Sequence, residues 1–271
     1  MLRLALAGLR ARRSRTLLAA AGVLAASLVV GTGTTVGYGL ATGFERAAER
    51  ADLPDVIARF DEEERETLDE RVRALPNLAA RSYRFEVNGV RVEARGEHIH
   101  EGAVHVVLGG RRGYLVTEGR DLGAGDEVVV EQGLAREWGL RIGDTLSVGR
   151  LGERRLVGVA VSPDNVAYPL ARAARVYVSG EGFDIEPNIA LLWLNDPAKA
   201  DVTLTQARSV SFGLGRLEFI TREGVRVLLG QAAGIVISLL VAFSLVALAA
   251  AGTMLAAGAH ADVHRRLAAF G

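Results

Sequence analysis

The sequence contains no cysteine, and this absence excludes a domain held together by disulfides. Net charge is also absent, because 32 basic residues balance 32 acidic ones. A neutral total favours neither nucleic acid nor an acidic partner. Because no disulfide can form, any folded domain of this chain must be stabilised by core packing.

Catalytic and nucleotide-binding motifs are missing as well. The sequence has no G-x-S-x-G, no H-E-x-x-H, no P-loop and no G-x-G-x-x-G after a strand. Three of the five histidines, His98, His100 and His105, lie close together beside two glutamates and are weak candidates for a zinc site. Their spacing completes no known zinc pattern. We therefore predict no metal site, no cofactor bound by this chain and no enzymatic activity.

Charged side chains are also missing from two long stretches. Residues 16–44 carry none, and within residues 227–261 the only ionisable group is His260. Because a helix needs about 20 apolar residues to cross a bilayer core, we predict two transmembrane helices, over residues 17–40 and 228–256. A cleaved signal peptide is the alternative for the first. Its apolar part is longer than the roughly 7–15 residues of a signal-peptide core, which favours an anchor.

Basic residues around these stretches predict the orientation. Residues 1–16 carry five arginines and no acid, and they are predicted to form a basic amphipathic helix at the cytoplasmic membrane surface. His264, Arg265 and Arg266 follow the second stretch. The positive-inside rule therefore places both termini in the cytoplasm and residues 45–226 outside. The 31 arginines against one lysine are typical of a GC-rich bacterial genome, so we expect a bacterial plasma membrane.

Glycines recur at a spacing of four residues inside the predicted membrane helices. This small-xxx-small spacing lets two helix backbones approach closely in lipid. It predicts helix-packing positions in three pairs: Gly33 and Gly37, Gly39 and Gly43, and Gly230 and Gly234.

The segment between the two apolar stretches is predicted to be an α+β domain. Asp61 is expected to cap a helix with an apolar stripe, and Asn88-Gly89 is expected to form a type I′ hairpin turn. Short strands are expected at 128–130, 145–148 and 155–161, with a helix at 132–138. Residues 188–209 predict a strand, a proline-containing turn and a helix, and Phe219-Ile220 predicts a last strand.

The order of these parts, and three stretches of sequence, resemble the FtsX-like/MacB-type permease family of ABC transporters. LALAGLRARRSRTLLAAAGVLAASLVVG resembles the family's opening, an amphipathic helix with arginines before the first span. EVVVEQGLAREWGLRIGDTLSV is similar to the core-domain pattern of strand, helix and Gly-Asp turn into the next strand. ADVHRRLAAFG resembles the segment that follows the second span in the family.

The resemblance implies a separate role for each part of the chain. The outer domain would comprise a porter-like subdomain, residues 45–105 and 180–226, and a sabre-like one, residues 106–179. Residues 257–271 would be a cytoplasmic coupling segment. The residues implied to contact a separate ATPase are Asp262, His264, Arg265, Arg266 and Leu267. That partner would bind ATP and Mg²⁺, while this chain would be a non-catalytic transport subunit that pairs with a second copy or a second permease half.

Family members continue beyond this segment into further membrane helices. We therefore expect the sequence to be the N-terminal part of such a permease, truncated within its coupling segment. The alternative is a two-span membrane receptor, in which an outer domain binds a ligand and a cytoplasmic module responds. No signalling module follows the second apolar stretch in this sequence, which favours the permease interpretation.

Overall fold

The computed structural model describes residues 42–123, 125–164, 168–169, 171–211 and 213–268, together with Leu24, Ser27, Leu28, Gly31, Thr32, Thr35 and Gly39. The chain divides into two compact units, of which the larger is Phe44–Arg226. The smaller comprises Met1–Gly43 and Val227–Gly271. The predicted basic helix over residues 1–16, most of the predicted span at 17–40, and residues 269–271 lie outside the described residues.

The larger unit is built on one ten-stranded mixed sheet. In chain order the strands are β1 (Val56–Arg59), β2 (Leu78–Ala94), β3 (Glu97–Val107), β4 (Leu115–Gly119), β5 (Glu127–Glu131), β6 (Thr145–Val148), β7 (Glu153–Val161), β8 (Arg175–Ser179), β9 (Ile189–Leu194) and β10 (Glu218–Thr221). Their spatial order is β10-β1-β9-β2-β3-β8-β5-β7-β4, with β6 paired to β2 and β7. The β3–β8 and β5–β7 pairs are parallel, and the other pairs are antiparallel.

Four helices have defined bounds: α1 (Arg65–Arg73), α2 (Gln132–Glu137), α3 (Ala200–Val210) and α4 (Arg222–Ala268). A further helix, over residues 42–50, leads into the larger unit, and we call it the entry helix. One face of the sheet is covered by α1 and α3, whose Leu68 and Ala207 pack with Val56 and Leu192. Further along the same face, α2 contributes Leu134 to a second apolar core. The helices thus leave the opposite face of the sheet to other segments.

Most of the elements predicted between residues 128 and 220 are confirmed. The strands at β5, β6, β7, β9 and β10 and the helices α2 and α3 form where local patterning predicts them. Gly139 follows α2 with a φ of 59°, the left-handed conformation that commonly ends a helix at this position. These elements depend on apolar spacing and turn residues within a few positions, which explains why they could be predicted.

The hairpin turn predicted at Asn88-Gly89 is wrong. Strand β2 continues through this dipeptide, and the turn lies at Arg95-Gly96, where φ is 55° and 86° and where Ala94 pairs with Glu97. The β2–β3 register shifts between Val87 and Val90, so Asn88-Gly89 lies at an irregularity within the strand. The positive φ of a glycine suits a bulge as well as a turn, and pairing along the rest of the strand selects the bulge.

The first predicted helix is confirmed, but its predicted cap is not. Helix α1 begins at Arg65, and Asp61 instead lies 3.2 Å from Arg216 in an ion pair. Its apolar stripe is buried as expected, with Leu68 only 2% exposed. The stripe therefore positions the helix against the sheet without the predicted side-chain cap.

Helix α4 extends over 47 residues, of which the first five belong to the larger unit and the rest to the smaller, and it leaves large apolar side chains exposed. These include Leu228, Ile235, Leu239, Phe243 and Val246. Within the part of the chain that the structure describes, no helix combines the length and the apolar character needed to cross a membrane.

Candidate functional site

The chain enters and leaves the larger unit at adjacent positions. Strand β1 follows the entry helix and β10 precedes α4, and these two strands pair antiparallel with Val56 opposite Thr221. The backbone N–H of Arg222 donates to the carbonyl of Asp55 at 3.0 Å. We call these two connections, residues 44–55 and 221–226, the stem.

Charge and apolar packing hold the two halves of the stem together. Glu45 lies 2.8 Å from Arg222 and 3.8 Å from Arg226, so one carboxylate of the entry helix meets two arginines of α4. Beside this pair, Phe44 packs in an apolar cluster with Val225. The entry helix and the start of α4 are therefore joined at this point by both ionic and apolar contacts.

A second feature crosses the sheet face opposite α1 and α3. Residues 108–114, which connect β3 to β4 and which we call the strap, are tied to the sheet by Ser82 Oγ, which donates to the Gly109 carbonyl at 2.6 Å. At the other end of the strap, Gly113 has a φ of 64°, and a Cβ there would lie 3.1 Å from Pro54 Cδ. The strap thus passes directly against the stem, and glycine is required for that approach.

Between the strap and the sheet lies a cluster of buried polar side chains, one of them from the last strap residue, which we call the buried polar cluster. Its members are Arg84, Glu86, His105, Tyr114, Asp164, Arg175 and Tyr177. His105 lies opposite Glu86 with 3.6 Å between Nδ1 and Oε2, and its ring stacks on Tyr177 at 5.2 Å. Arg84 places its guanidinium over Tyr114 and Tyr177, with its Cζ 5.5 and 5.4 Å from their ring centroids. Two tyrosine faces therefore stabilise a cation that has been removed from water.

Burial controls the protonation of this cluster. It lowers the pKa of His105 to about 3, so the imidazole is neutral at physiological pH. Burial also lowers the pKa of Arg84. For Asp164 burial acts in the opposite direction, but Arg175 at 2.5 Å holds the pKa of this carboxyl below its usual range.

A serine, Ser162, lies beside the buried polar cluster, but it is not arranged with His105 and Asp164 as a nucleophile and its base. The hydroxyl of Ser162 lies 2.6 Å from Asp164 Oδ1 and 3.3 Å from the carbonyl of Gly113. Both ring nitrogens of His105 are without a hydrogen-bond partner among the described residues. A histidine that does not contact the hydroxyl cannot activate it. The cluster therefore has the geometry of a structural network.

The structure separates the three candidate zinc ligands. His98 and His100 lie near the exposed start of β3 with ring centroids 5.2 Å apart, while His105 is buried against Tyr177. Across the described ranges, no group of three or more histidine, aspartate or glutamate side chains could hold a metal ion.

The predicted helix-packing and coupling residues lie in the smaller unit or at its boundary. Gly33 and Gly37 lie outside the described residues. At the other four glycines of this set, Gly39, Gly43, Gly230 and Gly234, an added Cβ would meet no atom of the described residues within 4 Å. The five coupling residues belong to the last part of α4, whose backbone is helical through Ala268.

Sequence reasoning missed the strap, the stem contacts and the buried polar cluster. The one local signal for the strap is the stretch GGRRG at 109–113, whose three glycines all have positive φ. Nothing local signals that Arg84 is buried, since a charged residue in an alternating strand is ordinarily on the solvent face. These features depend on which segment covers the second face of the sheet.

No family model matches this sequence, and no curated protein matches it. Among solved structures, the chain is similar to the extracellular domain of the noncanonic ABC-type transporter YknZ from Gram-positive bacteria. That match has a TM-score of 0.44 and 9% identity, and it covers 61% of this chain and 99% of the other. A second match, to the periplasmic region of MacB from Actinobacillus actinomycetemcomitans, has a TM-score of 0.43 and 9% identity, covering 64% and 92%. The first of these neighbours is the extracellular domain of an ABC-type transporter, and the second is a periplasmic region.

Proposed function

We propose that this chain is the membrane subunit of a bacterial ABC transporter of the FtsX/MacB type. Residues 45–226 would be its extracytoplasmic domain, between spans at residues 17–40 and 228–256. The observation that carries this proposal is the stem, in which both connections to the predicted spans are paired through β1 and β10 and through Glu45 with Arg222. A movement of either span would reach the domain through the stem.

The exposed apolar side chains of α4 support the second span. Leu228 and Phe243 are 67% and 70% exposed, which suits lipid contact far better than water. The lipid bilayer would then be a direct partner of this chain. Both termini would lie in the cytoplasm of a multi-pass protein of the bacterial plasma membrane, as the flanking arginines indicate.

The energy source would be a separate cytoplasmic ATPase that binds ATP and Mg²⁺. The coupling segment, residues 257–271, would contact it through Asp262, His264, Arg265, Arg266 and Leu267. This chain would contribute no catalytic group. It would pair with a second copy or a second permease half, with the glycines of the two spans at the helix contacts.

We also propose that the outer domain comprises two subdomains, which share one sheet and one apolar core that combines Val92 and Val104 with Val128. A second core contains Val56, Leu68 and Leu192. We assign this second core to a porter-like part, residues 45–105 and 180–226, and the sabre-like part is residues 106–179.

The first experiment tests the membrane topology. Because the sequence has no cysteine, an introduced cysteine is its single site for maleimide labelling. Glu118→Cys in the exposed β4 and Asp262→Cys in the coupling segment are each introduced alone, and spheroplasts are treated with a membrane-impermeant maleimide. We expect labelling at position 118 in intact spheroplasts and labelling at position 262 only after permeabilisation. Equal labelling of both before permeabilisation, or of neither, would refute the proposed topology.

The ATPase contact is tested by co-expression with the ABC ATPases of the source bacterium. An affinity-tagged chain should retain one of them, and the double variant Arg265→Glu/Arg266→Glu should lose it because the charge is reversed. The matched control is Arg136→Glu/Arg141→Glu, which alters two exposed arginines of the outer domain. Equal retention by both double variants would contradict the coupling assignment, and no retention by the parent chain would contradict the proposed partner.

A further inference from the structure

Three residues from distant segments, Asp52, Arg111 and Trp193, are in contact where the strap passes the stem. Arg111 of the strap donates from Nε to Asp52 Oδ2 at 2.6 Å, and its Nη2 donates to the other carboxylate oxygen. The same guanidinium lies over the Trp193 ring, with its Cζ 4.4 Å from the ring centroid. Trp193 Nε1 in turn donates to the backbone carbonyl of Asp52 at 3.0 Å.

Asp52 occupies a position where glycine would be the less strained choice. The entry helix ends in a Schellman motif, in which Leu53 N–H donates to Ala48 at 2.8 Å and Asp52 N–H donates to Glu49 at 3.1 Å. Asp52 is the left-handed residue of that motif, with a φ of 49°. This conformation suits glycine better than a residue with a side chain. The carboxylate at this position therefore has a use, and the contact with Arg111 is the use that the geometry offers.

The contact is specific in geometry but weak in energy. The side chains of Arg111 and Asp52 are 43% and 46% exposed, and an ion pair with this exposure contributes little to stability. Trp193, by contrast, is buried in the sheet at 5% exposure and is a fixed anchor. A forked, stacked arginine holds a defined position without adding much stability, so it can also be released at little cost.

We propose that Asp52, Arg111 and Trp193 form a latch that holds the strap to the end of the entry helix, with Arg111 as its positioning residue. Through the latch, a movement of the entry helix reaches the strap and, through it, strand β4. This inference goes beyond the proposed function and rests on it only for the source of the movement.

The latch is tested by distance measurements in the full chain in lipid nanodiscs. Cysteines introduced at the exposed positions Glu49 and Glu118 are spin-labelled, and pulsed electron paramagnetic resonance gives the distribution of distances between them. We expect a narrow distribution in the parent chain and a broader one after Arg111→Ala. Asp52→Gly should broaden it equally, although glycine suits the helix end and cannot prevent folding there.

Conservative substitutions and a matched control separate the latch from general destabilisation. Arg111→Lys keeps the charge but loses the fork and the planar stacking, so it should broaden the distribution as alanine does. The control is Arg91→Ala, which removes an ion pair to Glu93 of similar exposure, 52% and 47%, that does not involve the stem. An unchanged distribution in Arg111→Ala and Asp52→Gly overturns the latch, as does equal broadening in Arg91→Ala. The measurement needs no ATPase, so a result that overturns the latch would not contradict the proposed function. Loss of the ATPase contact would likewise not contradict the latch.

Discussion

Asp69 ties helix α1 to strand β2, and its removal should weaken the larger unit in a pH-dependent way. Arg81 Nε donates to Asp69 Oδ1 at 2.6 Å, and the hydroxyl of Tyr83 donates to the same oxygen at 2.7 Å. The hydrogen bond from Arg81 is the main cause that lowers the pKa of Asp69 from 3.8 to about 2. Ionised Asp69 is therefore stabilised in the folded state, and Asp69→Asn is the substitution that removes this charge.

The expected loss of stability in Asp69→Asn follows from the pKa shift of Asp69. At about 1.36 kcal/mol per pKa unit, a full shift from 3.8 to about 2 corresponds to roughly 2.4 kcal/mol. Asp69 is at the surface of α1, where solvent screens such pairs, so we expect a loss of about 1 kcal/mol. Because the folded pKa is depressed, this stabilisation is fully present above pH 3.8 and is lost as the pH falls towards 2.

Urea unfolding of the full chain, followed by tryptophan fluorescence, measures this difference. The only two tryptophans, Trp138 and Trp193, both lie in the larger unit, so the signal reports that unit. The free energy of unfolding of Asp69→Asn should be lower than that of the parent chain at pH 7, and the gap should shrink at about pH 3. Glu70→Gln, on the same helix and exposed, is the control and should change little. A gap that is the same at both pH values, or absent at pH 7, would refute the electrostatic reasoning.

Two further substitutions test the second face of the sheet with the same assay. Since burial lowers the pKa of His105 from 6.5 to about 3, the unfolded chain gains a proton between these values that the folded chain does not bind, and the parent chain should lose stability there. His105→Phe, which can keep the stack on Tyr177, should lose less stability from pH 7 to about pH 5; an equal loss in both proteins would exclude His105 as the cause. Gly158→Ala should destabilise the unit by about 3 kcal/mol, because a Cβ there overlaps the backbone carbonyl of Arg120. Gly252→Ala, where an added Cβ meets nothing within 4 Å, should leave the unfolding midpoint unchanged, and equal midpoints for the two variants would contradict the overlap.

Local patterns predicted most of the elements and part of the core. Strands β5, β6 and β7 and helix α2 form as expected, because each depends on apolar residues and a turn signal within about ten positions. The stripe of Leu68 and Val72 is buried for the same reason. The prediction of a turn at Asn88-Gly89 is wrong because two dipeptides, seven residues apart, can both supply positive φ. Only the pairing of β2 with β3 over its whole length decides between them.

The sequence alone determines that no disulfide can form, that two stretches lack charge, and that the segment between them alternates strands and helices. Only the tertiary structure decides that Arg84 and His105 are buried, that Glu45 meets Arg222, and that Arg111 reaches Asp52 across 59 positions. The physical reason is the separation along the sequence of the residues that interact. Secondary structure follows from neighbours along the chain, whereas burying a charge requires partners from several remote segments whose combined contacts offset its desolvation.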